Sequence, residues 1–329
     1  NYVDGTLVTE AEASVQLWRS NVMVASTMVT ANEENGWFEA WFLGSGGRPF
    51  IILPGDTVIV AYGNQSIVVP VVSLSAAVDN DADRVTGVGP ARQNLVVDVS
   101  RPQWWDRDTV TRDVTTGDDG AYMADFAGVR DIQGGDYIKV SHMNPDGNVV
   151  YLEHAAALVR INLGNDMVDG YATPNSMASI VLKRGGDVIA STKAPTAMDG
   201  AFSAYFLDND GNVINLIPGD VVEVTASPTV ATSAVGLTAV LDPTLDQISG
   251  SAPAGAAVLV IAYRCIPSEC YSYSATAIAD AGGSYSVDLA GTFELDLTSY
   301  AYVQVEDGKG NMTSFATTPS SPSASPSEC

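Results

Sequence analysis

Histidine, lysine and cysteine are scarce in this chain of 329 residues, with two, four and three copies respectively. With only His142 and His154 available, a Ser/His/acid arrangement or a histidine-rich metal site has almost no material. No Gly-rich phosphate loop appears either, so the expectation is a protein that is not an enzyme. The few lysines help leave 15 basic residues against 39 acidic ones, a net charge of −24. A phosphate backbone is repelled by such a surface, which argues against nucleic acid as a partner. No run of 18 apolar residues occurs, so no transmembrane helix is expected. Lys and Glu are too few for many amphipathic helices, whereas Ala, Val, Thr, Ser, Gly and Asp are abundant. That balance points to an all-β chain.

Two readings of the charge stand side by side: it keeps a strand-rich protein soluble, or clustered Asp residues hold divalent cations. The chain starts at Asn1 rather than Met, as a mature form without its signal peptide or a piece of a longer protein would. Cys265 and Cys270 flank Ile266-Pro267-Ser268-Glu269, a spacing that suits a disulfide across a hairpin turn. Zinc lacks further ligands there. Cys329 is left over.

A fixed period organises the sequence. An apolar-x-Gly tripeptide recurs as Val3-Asp4-Gly5, Val85-Thr86-Gly87, Val168-Asp169-Gly170 and Ile248-Ser249-Gly250, at spacings of 82, 83 and 80 residues. Fourteen residues after each glycine stands an arginine: Arg19, Arg101, Arg184 and Arg264. With eleven Arg in the chain, chance is a poor explanation. Ahead of each Arg the sequence alternates as a half-buried strand does: Ala13, Val15, Leu17; Leu95, Val97, Val99; Ala178, Ile180, Leu182; Val258, Val260, Ala262.

Two more landmarks follow in each repeat. A turn glycine precedes alternating aromatics in Gly36-Trp37-Phe38, Gly120-Ala121-Tyr122, Gly200-Ala201-Phe202 and Gly283-Ser284-Tyr285. Then Pro54-Gly55-Asp56, Gly134-Gly135-Asp136 and Pro218-Gly219-Asp220 lead into strands, whereas the fourth repeat has Ser299-Tyr300-Ala301 there and no Asp. Each unit thus offers six or seven short strands, enough for a two-sheet sandwich.

With Ala279-Asp280-Ala281-Gly282-Gly283-Ser284-Tyr285 and Val303-Gln304-Val305-Glu306-Asp307 leading to Gly310-Asn311, the last repeat resembles bacterial immunoglobulin-like repeats. The first three are similar to carboxypeptidase-regulatory-like (prealbumin-like) modules. The resemblance implies a module used for spacing, adhesion and assembly at prokaryotic surfaces, with no active site to transfer.

The expected organisation is four tandem Ig-like/prealbumin-like antiparallel β-sandwich domains in an elongated array, at 1–84, 85–167, 168–247 and 248–316, with a Ser/Pro-rich tail at 317–329. Short acidic stretches at 79–84, 164–167 and 242–247 serve as joints in this reading. End-to-end stacking would give a rod on the order of 100–150 Å.

Several residues are candidates for chemistry. Asp79, Asp81 and Asp83 at one joint, and Asp208 and Asp210 in a turn, suit Ca2+, although Asp is also an ordinary turn residue. The recurring Arg lies on the core side of its strand and needs a partner; Asp56, Asp136 and Asp220 fit, and the fourth repeat breaks the pattern. Adjacent Trp104 and Trp105 face opposite ways in a strand, so one leaves its own core for a neighbouring domain or subunit, or for a sugar ring. Asn64 and Asn311 lie in glycosylation acceptor patterns on expected hairpin turns. Together these point to a structural subunit of an extracellular or cell-surface assembly (filament, sheath, surface layer or stalk) whose partners are copies of itself or other surface proteins. The alternative is an adhesin or an accessory carbohydrate-binding module of a secreted protein, which would engage glycans.

Overall fold

The computed structural model describes residues 2–44, 47, 49–102, 107–225, 229–266 and 269–318. The described residues form strands and turns with no α-helix, and no helix is long and apolar enough to cross a membrane. The chain is all-β.

The first unit contains β1 (Tyr2–Thr6), β2 (Glu12–Arg19), β3 (Val22–Thr30), β4 (Trp37–Trp41), β5 (Thr57–Tyr62) and β6 (Gln65–Pro70). The second is β7 (Ala77–Asp79), β8 (Arg84–Val88), β9 (Asn94–Pro102), β10 (Arg107–Thr115), β11 (Ala121–Asp125), β12 (Tyr137–Met143) and β13 (Val149–Ala155). The third is β14 (Leu158–Asn162), β15 (Met167–Tyr171), β16 (Met177–Arg184), β17 (Asp187–Pro195), β18 (Ala201–Tyr205), β19 (Val221–Thr225) and β20 (Val230–Ser233). The fourth is β21 (Val240–Asp242), β22 (Gln247–Ser251), β23 (Ala257–Ile266), β24 (Glu269–Ile278), β25 (Ser284–Asp288), β26 (Tyr300–Glu306) and β27 (Met312–Thr317).

One arrangement recurs. The larger sheets run β3-β2-β5-β6, β10-β9-β12-β13, β17-β16-β19-β20 and β24-β23-β26-β27, and all of their neighbours within a unit are antiparallel. The smaller sheets run β7-β8-β11, β14-β15-β18 and β21-β22-β25, while among the described residues the first unit pairs β1 with β4. Buried apolar side chains from both sheets gather into four separate clusters, one per unit. The period-two residues ahead of each Arg lie in them, as do Phe38, Tyr122, Phe202 and Tyr285.

The turn glycine before those aromatics has a physical reason to be there. At Gly200 φ is +90°, and a Cβ would lie 2.2 Å from the carbonyl oxygen of Ala172. Gly36 and Gly120 stand in the same relation to the oxygens of Leu7 and Gly89. Only a residue without a side chain fits such a left-handed, backbone-crowded position.

The stretches read as joints are hairpin turns. Asp79 pairs with Arg84, Asn162 with Met167 and Asp242 with Gln247, so β7, β14 and β21 belong to the sandwich that follows them. Val78, Val159 with Ile161, and Leu237 with Leu241 accordingly sit in the second, third and fourth cores. The crossings between cores thus fall near 72, 157 and 236, ahead of the boundaries expected from the tripeptide. Strands as short as three residues leave too little alternation to be recognised in a sequence.

Stacking by end contacts alone is corrected in the second half of the chain. β27 of the fourth unit pairs in parallel with β14 of the third, Arg160 opposite Met312 and Asn162 opposite Ser314. This joins two sheets into one of seven strands, β18-β15-β14-β27-β26-β23-β24. The fourth unit also reaches the second, through a backbone bond of 2.8 Å from the Gly134 amide to the Lys309 carbonyl.

Candidate functional site

Every recurring arginine closes on the loop ahead of the next strand in its sheet. Arg19 donates from Nε and Nη2 to the two carboxylate oxygens of Asp56, both at 2.8 Å, and from Nη2 to the Ile51 carbonyl at 2.9 Å. Arg101 holds Asp136 at 2.9 Å twice and the Asp131 carbonyl at 2.7 Å. Arg184 holds Asp220 at 2.7 and 2.8 Å and the Asn215 carbonyl at 2.9 Å. The same carboxylates accept the amides of Leu53, Gln133 and Ile217. Asp56 and Asp136 are each 2% exposed and Asp220 is fully buried. A forked guanidinium matched to both carboxylate oxygens, with a backbone amide added, is the geometry that makes burying this charge tolerable.

Electrostatics follow the contacts. The Arg19 guanidinium holds the Asp56 carboxyl below the usual carboxylate range, against the opposing effect of burial. At Asp220 burial pushes upward most strongly, and the Arg184 and Ile217 bonds together outweigh it, so the net direction is down.

The fourth unit departs from this pattern. Ser299 takes the Asp position; its hydroxyl accepts the Asp296 amide at 2.9 Å, so the loop keeps its anchor. Arg264 turns instead to the carbonyl and carboxylate of Glu294, at 3.2 and 3.0 Å, and its buried Nε has no partner. Its guanidinium lies 5.9 Å from the ring centres of both Tyr271 and Phe293. Beside it, Cys265 and Cys270 are joined by a disulfide between directly opposed residues of β23 and β24.

Sequence reasoning missed a second recurring acid. Asp83, Asp166 and Asp246 adopt left-handed backbone, φ +52°, +56° and +48°. Their Oδ1 atoms accept the amides of Ile132, Leu216 and Leu295 at 2.9, 2.8 and 2.8 Å. Each lies four residues ahead of a landmark glycine, a spacing that would have exposed it.

The calcium expectation finds no geometry here. The chain at 79–83 is a turn rather than an extended run, Asp79 accepts the amides of Asp81 and Ala82, and Asp83 faces Ile132. Asp81 pairs with Lys309. Asp208 likewise accepts the amides of Asp210 and Asn212. Among the described residues no three His, Cys, Asp or Glu stand together as metal ligands would. Turn-forming Asp spends its oxygens on its own backbone.

Of the two glycosylation candidates, Asn64 lies on an exposed turn, whereas Asn311 does not. Its side chain is 3% exposed, accepts the Val159 amide at 3.0 Å and donates to Asp307 at 3.1 Å. The turn holding it is inserted between units, which a local sequence pattern does not show. Trp104, Trp105 and Cys329 lie outside the described residues.

That inserted turn, Asp307 to Asn311, is the center of the junction. Lys309 meets Asp81 of the second unit, and Asp307 accepts the Thr232 hydroxyl of the third at 3.3 Å. Thr313 accepts the Val235 amide at 3.0 Å, and the Ser314 carbonyl accepts the Leu163 amide at 2.9 Å. Gly310 packs on Gly134 so closely that a Cβ would lie 2.7 Å from its backbone.

These features define an all-β chain of sandwich units in which the recurring polar residues serve the units themselves. No family model matches the chain, and no curated protein matches it. Among solved structures it is similar to the tetra-tandem repeat in the extending region of a large adhesion protein. That likeness has 15% identity, covers 96% of this chain and 94% of that one, and has a TM-score of 0.22. A structure concerning host cell surface retention of a 1.5-MDa bacterial ice-binding adhesin has 16% identity, covers 76% of this chain and 98% of that one, and has a TM-score of 0.19. Elastase-activated Escherichia coli alpha-2-macroglobulin has 11% identity over 98% of this chain and 42% of that one, with a TM-score of 0.20. At TM-scores this low the likenesses carry no argument about this chain.

Proposed function

We propose that this chain is a non-enzymatic structural component of an extracellular or cell-surface assembly, its four units acting as domains akin to bacterial Ig-like or prealbumin-like repeats. The observation that carries the reading is the junction. Parallel pairing of β14 with β27 and insertion of the Asp307–Asn311 turn couple the second, third and fourth units through backbone and side-chain hydrogen bonds. A chain whose repeats are locked together in this way resists bending and transmits load, as a spacer or filament subunit must. The Cys265–Cys270 disulfide favours an oxidising compartment. Electron microscopy of the native material tests the proposal: ordered polymers are expected, and a monodisperse monomer at high concentration would overturn it.

A second reading, glycan binding, is favoured by one surface. Trp37 and Trp41 leave the outer face of β4 at 43% and 39% exposure, and Tyr2 stacks on Trp41 with ring centres 5.2 Å apart. Glu39 and Asp4 stand directly opposite each other between these rings; one oxygen of Glu39 accepts the Trp41 indole N–H and one of Asp4 the Tyr151 hydroxyl, and the second oxygen of each is the acceptor for a sugar hydroxyl in this reading. Sugar rings bind such flat aromatic and acidic platforms by stacking and hydrogen bonding. A glycan array comparing the chain with its Trp41→Ala variant decides this reading, selective binding lost in the variant being the expected result.

A further inference from the structure

Among the described residues, each larger sheet ends on a long strand with a neighbour on one side only: β3, β10, β17 and β24. Such an edge is ordinarily blunted by charge, proline or a bulge. β10 carries Asp108, Arg112 and Asp113, and β17 carries Asp187, Lys193 and Pro195. The pairing of β3 slips by one residue between Leu17 and Trp18, and that of β17 between Leu182 and Lys183. β24 has none of these devices. It pairs with β23 through ten consecutive positions without a slip, and from Cys270 to Ile278 it bears neither charge nor proline. The Cys265–Cys270 disulfide fixes its start to β23.

The side chains of β24 are ordered so that the strand complements itself. Tyr273, Ala275 and Ala277 lie opposite the buried Ala262, Val260 and Val258, so they and Tyr271 share the face toward the core. Cys270, Ser272, Ser274, Thr276 and Ile278 share the outer face. When the strand is laid antiparallel on a copy of itself about Ser274, Tyr273 meets Ala275 and Tyr271 meets Ala277, each ring against a methyl. On the outer face Ser272 meets Thr276 and Ser274 meets Ser274, while Ile278, 65% exposed, meets the disulfide at Cys270. Large-with-small and hydroxyl-with-hydroxyl pairs are ones that hold neighbouring strands together. Directly opposed residues share a face, so a two-fold axis through Ser274 keeps both cores on one side of the joined sheet.

We propose that the free edge of β24 is a contact between two copies of this chain, joined antiparallel about Ser274 so that the seven-stranded sheet of one copy continues into that of the other. A net charge of −24 opposes contact wherever exposed acids face each other, and β24 offers a stretch free of them. Main-chain bonds supply the affinity, and the order of large and small residues sets the register. The proposal rests on the assembly reading for its biological role and names the partner at one contact of that assembly. Cross-linking reads this contact whether or not polymers form, so the two ideas fail separately.

The test uses the full chain with Cys329→Ser, in which the joined Cys265 and Cys270 are the only remaining cysteines. Single cysteines are then placed on the exposed outer face of β24. Opposed residues of an antiparallel pair have Cα atoms about 4.5–5.5 Å apart, within reach of a disulfide. Ser274→Cys should therefore give a disulfide-linked dimer under mild oxidation. Ser272→Cys alone and Thr276→Cys alone should give none, because each lies too far along the strand from its own copy, whereas the two variants mixed should give the heterodimer. Charge tests the same register without altering the core. Added to Ser274→Cys, the pair Ser272→Lys with Thr276→Lys opposes like charges twice and should slow cross-linking about tenfold, while Ser272→Lys with Thr276→Glu opposes unlike charges and should not. Circular dichroism should match that of the unmodified chain in every variant. No dimer from Ser274→Cys, equal cross-linking by Ser272→Cys alone, or equal slowing by both charge pairs would each overturn the proposal.

Discussion

Arg19 and Arg264 stand at the same place in their units, fourteen residues after the landmark glycine, yet they solve the same problem differently. Arg19 meets a buried carboxylate that fits its fork and leaves no donor idle at Nε. Arg264 meets Ser299, which is too short to reach it, and turns to the exposed side chain of Glu294, leaving Nε buried and unpaired. The unit with the weaker clamp is also the one with the disulfide, which begins at the very next residue of the same strand. The contrast shows that the loop anchor and the arginine clamp are separable duties: Asp performs both, and Ser performs only the first.

Breaking the stronger version of the clamp should have the largest effect. Asp220→Ala leaves Arg184 without its carboxylate and Ile217 without its acceptor, a loss of about 3 kcal/mol in the third unit, measured as a lowered urea midpoint. The corresponding Ser299→Ala in the fourth unit removes one neutral acceptor and should cost about 1 kcal/mol. Acid acts on the same bonds. Asp56 and Asp220 have carboxyls held below their unfolded range, so their stabilisation is complete above about pH 4 and is lost as pH falls through the lower folded values. Unfolding followed downward from pH 5 should therefore weaken the first and third units, and Asp220→Asn should flatten that dependence in the third.

Reduction of Cys265–Cys270 falls between Asp220→Ala and Ser299→Ala in size. Opening so small a loop should lower stability by about 2 kcal/mol, confined to the fourth unit, as read by amide exchange with and without reductant. The last effect, of the same size as that of Ser299→Ala, is a gain. Ser299→Asp restores the carboxylate that Arg264 lacks and should raise the stability of the fourth unit by about 1 kcal/mol, measured as a higher melting temperature. A loss instead would show that Glu294 and the neighbouring rings hold Arg264 too firmly to be redirected.

The clamp was legible because it is built from fixed spacings. Strand alternation placed Ala13, Val15 and Leu17 in a core and set Arg19 two residues further on the same face, and Asp56 was its partner in the next strand's turn. Asp83 was misread as a cation ligand because Asp in a turn has the same letter whichever way its carboxylate points. Asn311 was misread as an exposed acceptor because its burial comes from units that are distant in sequence.

Local chemistry in the sequence was sufficient to place the longer alternating strands, their buried faces, the glycine turns and the arginine pairs of the first three units, since alternation and turn geometry act over a few residues. Only the tertiary structure decided that β7, β14 and β21 join the following sandwich and that β27 pairs with β14. Backbone hydrogen bonding is the same for every sequence, so which edges meet depends on how the folded units are placed and leaves almost no mark on the residues themselves.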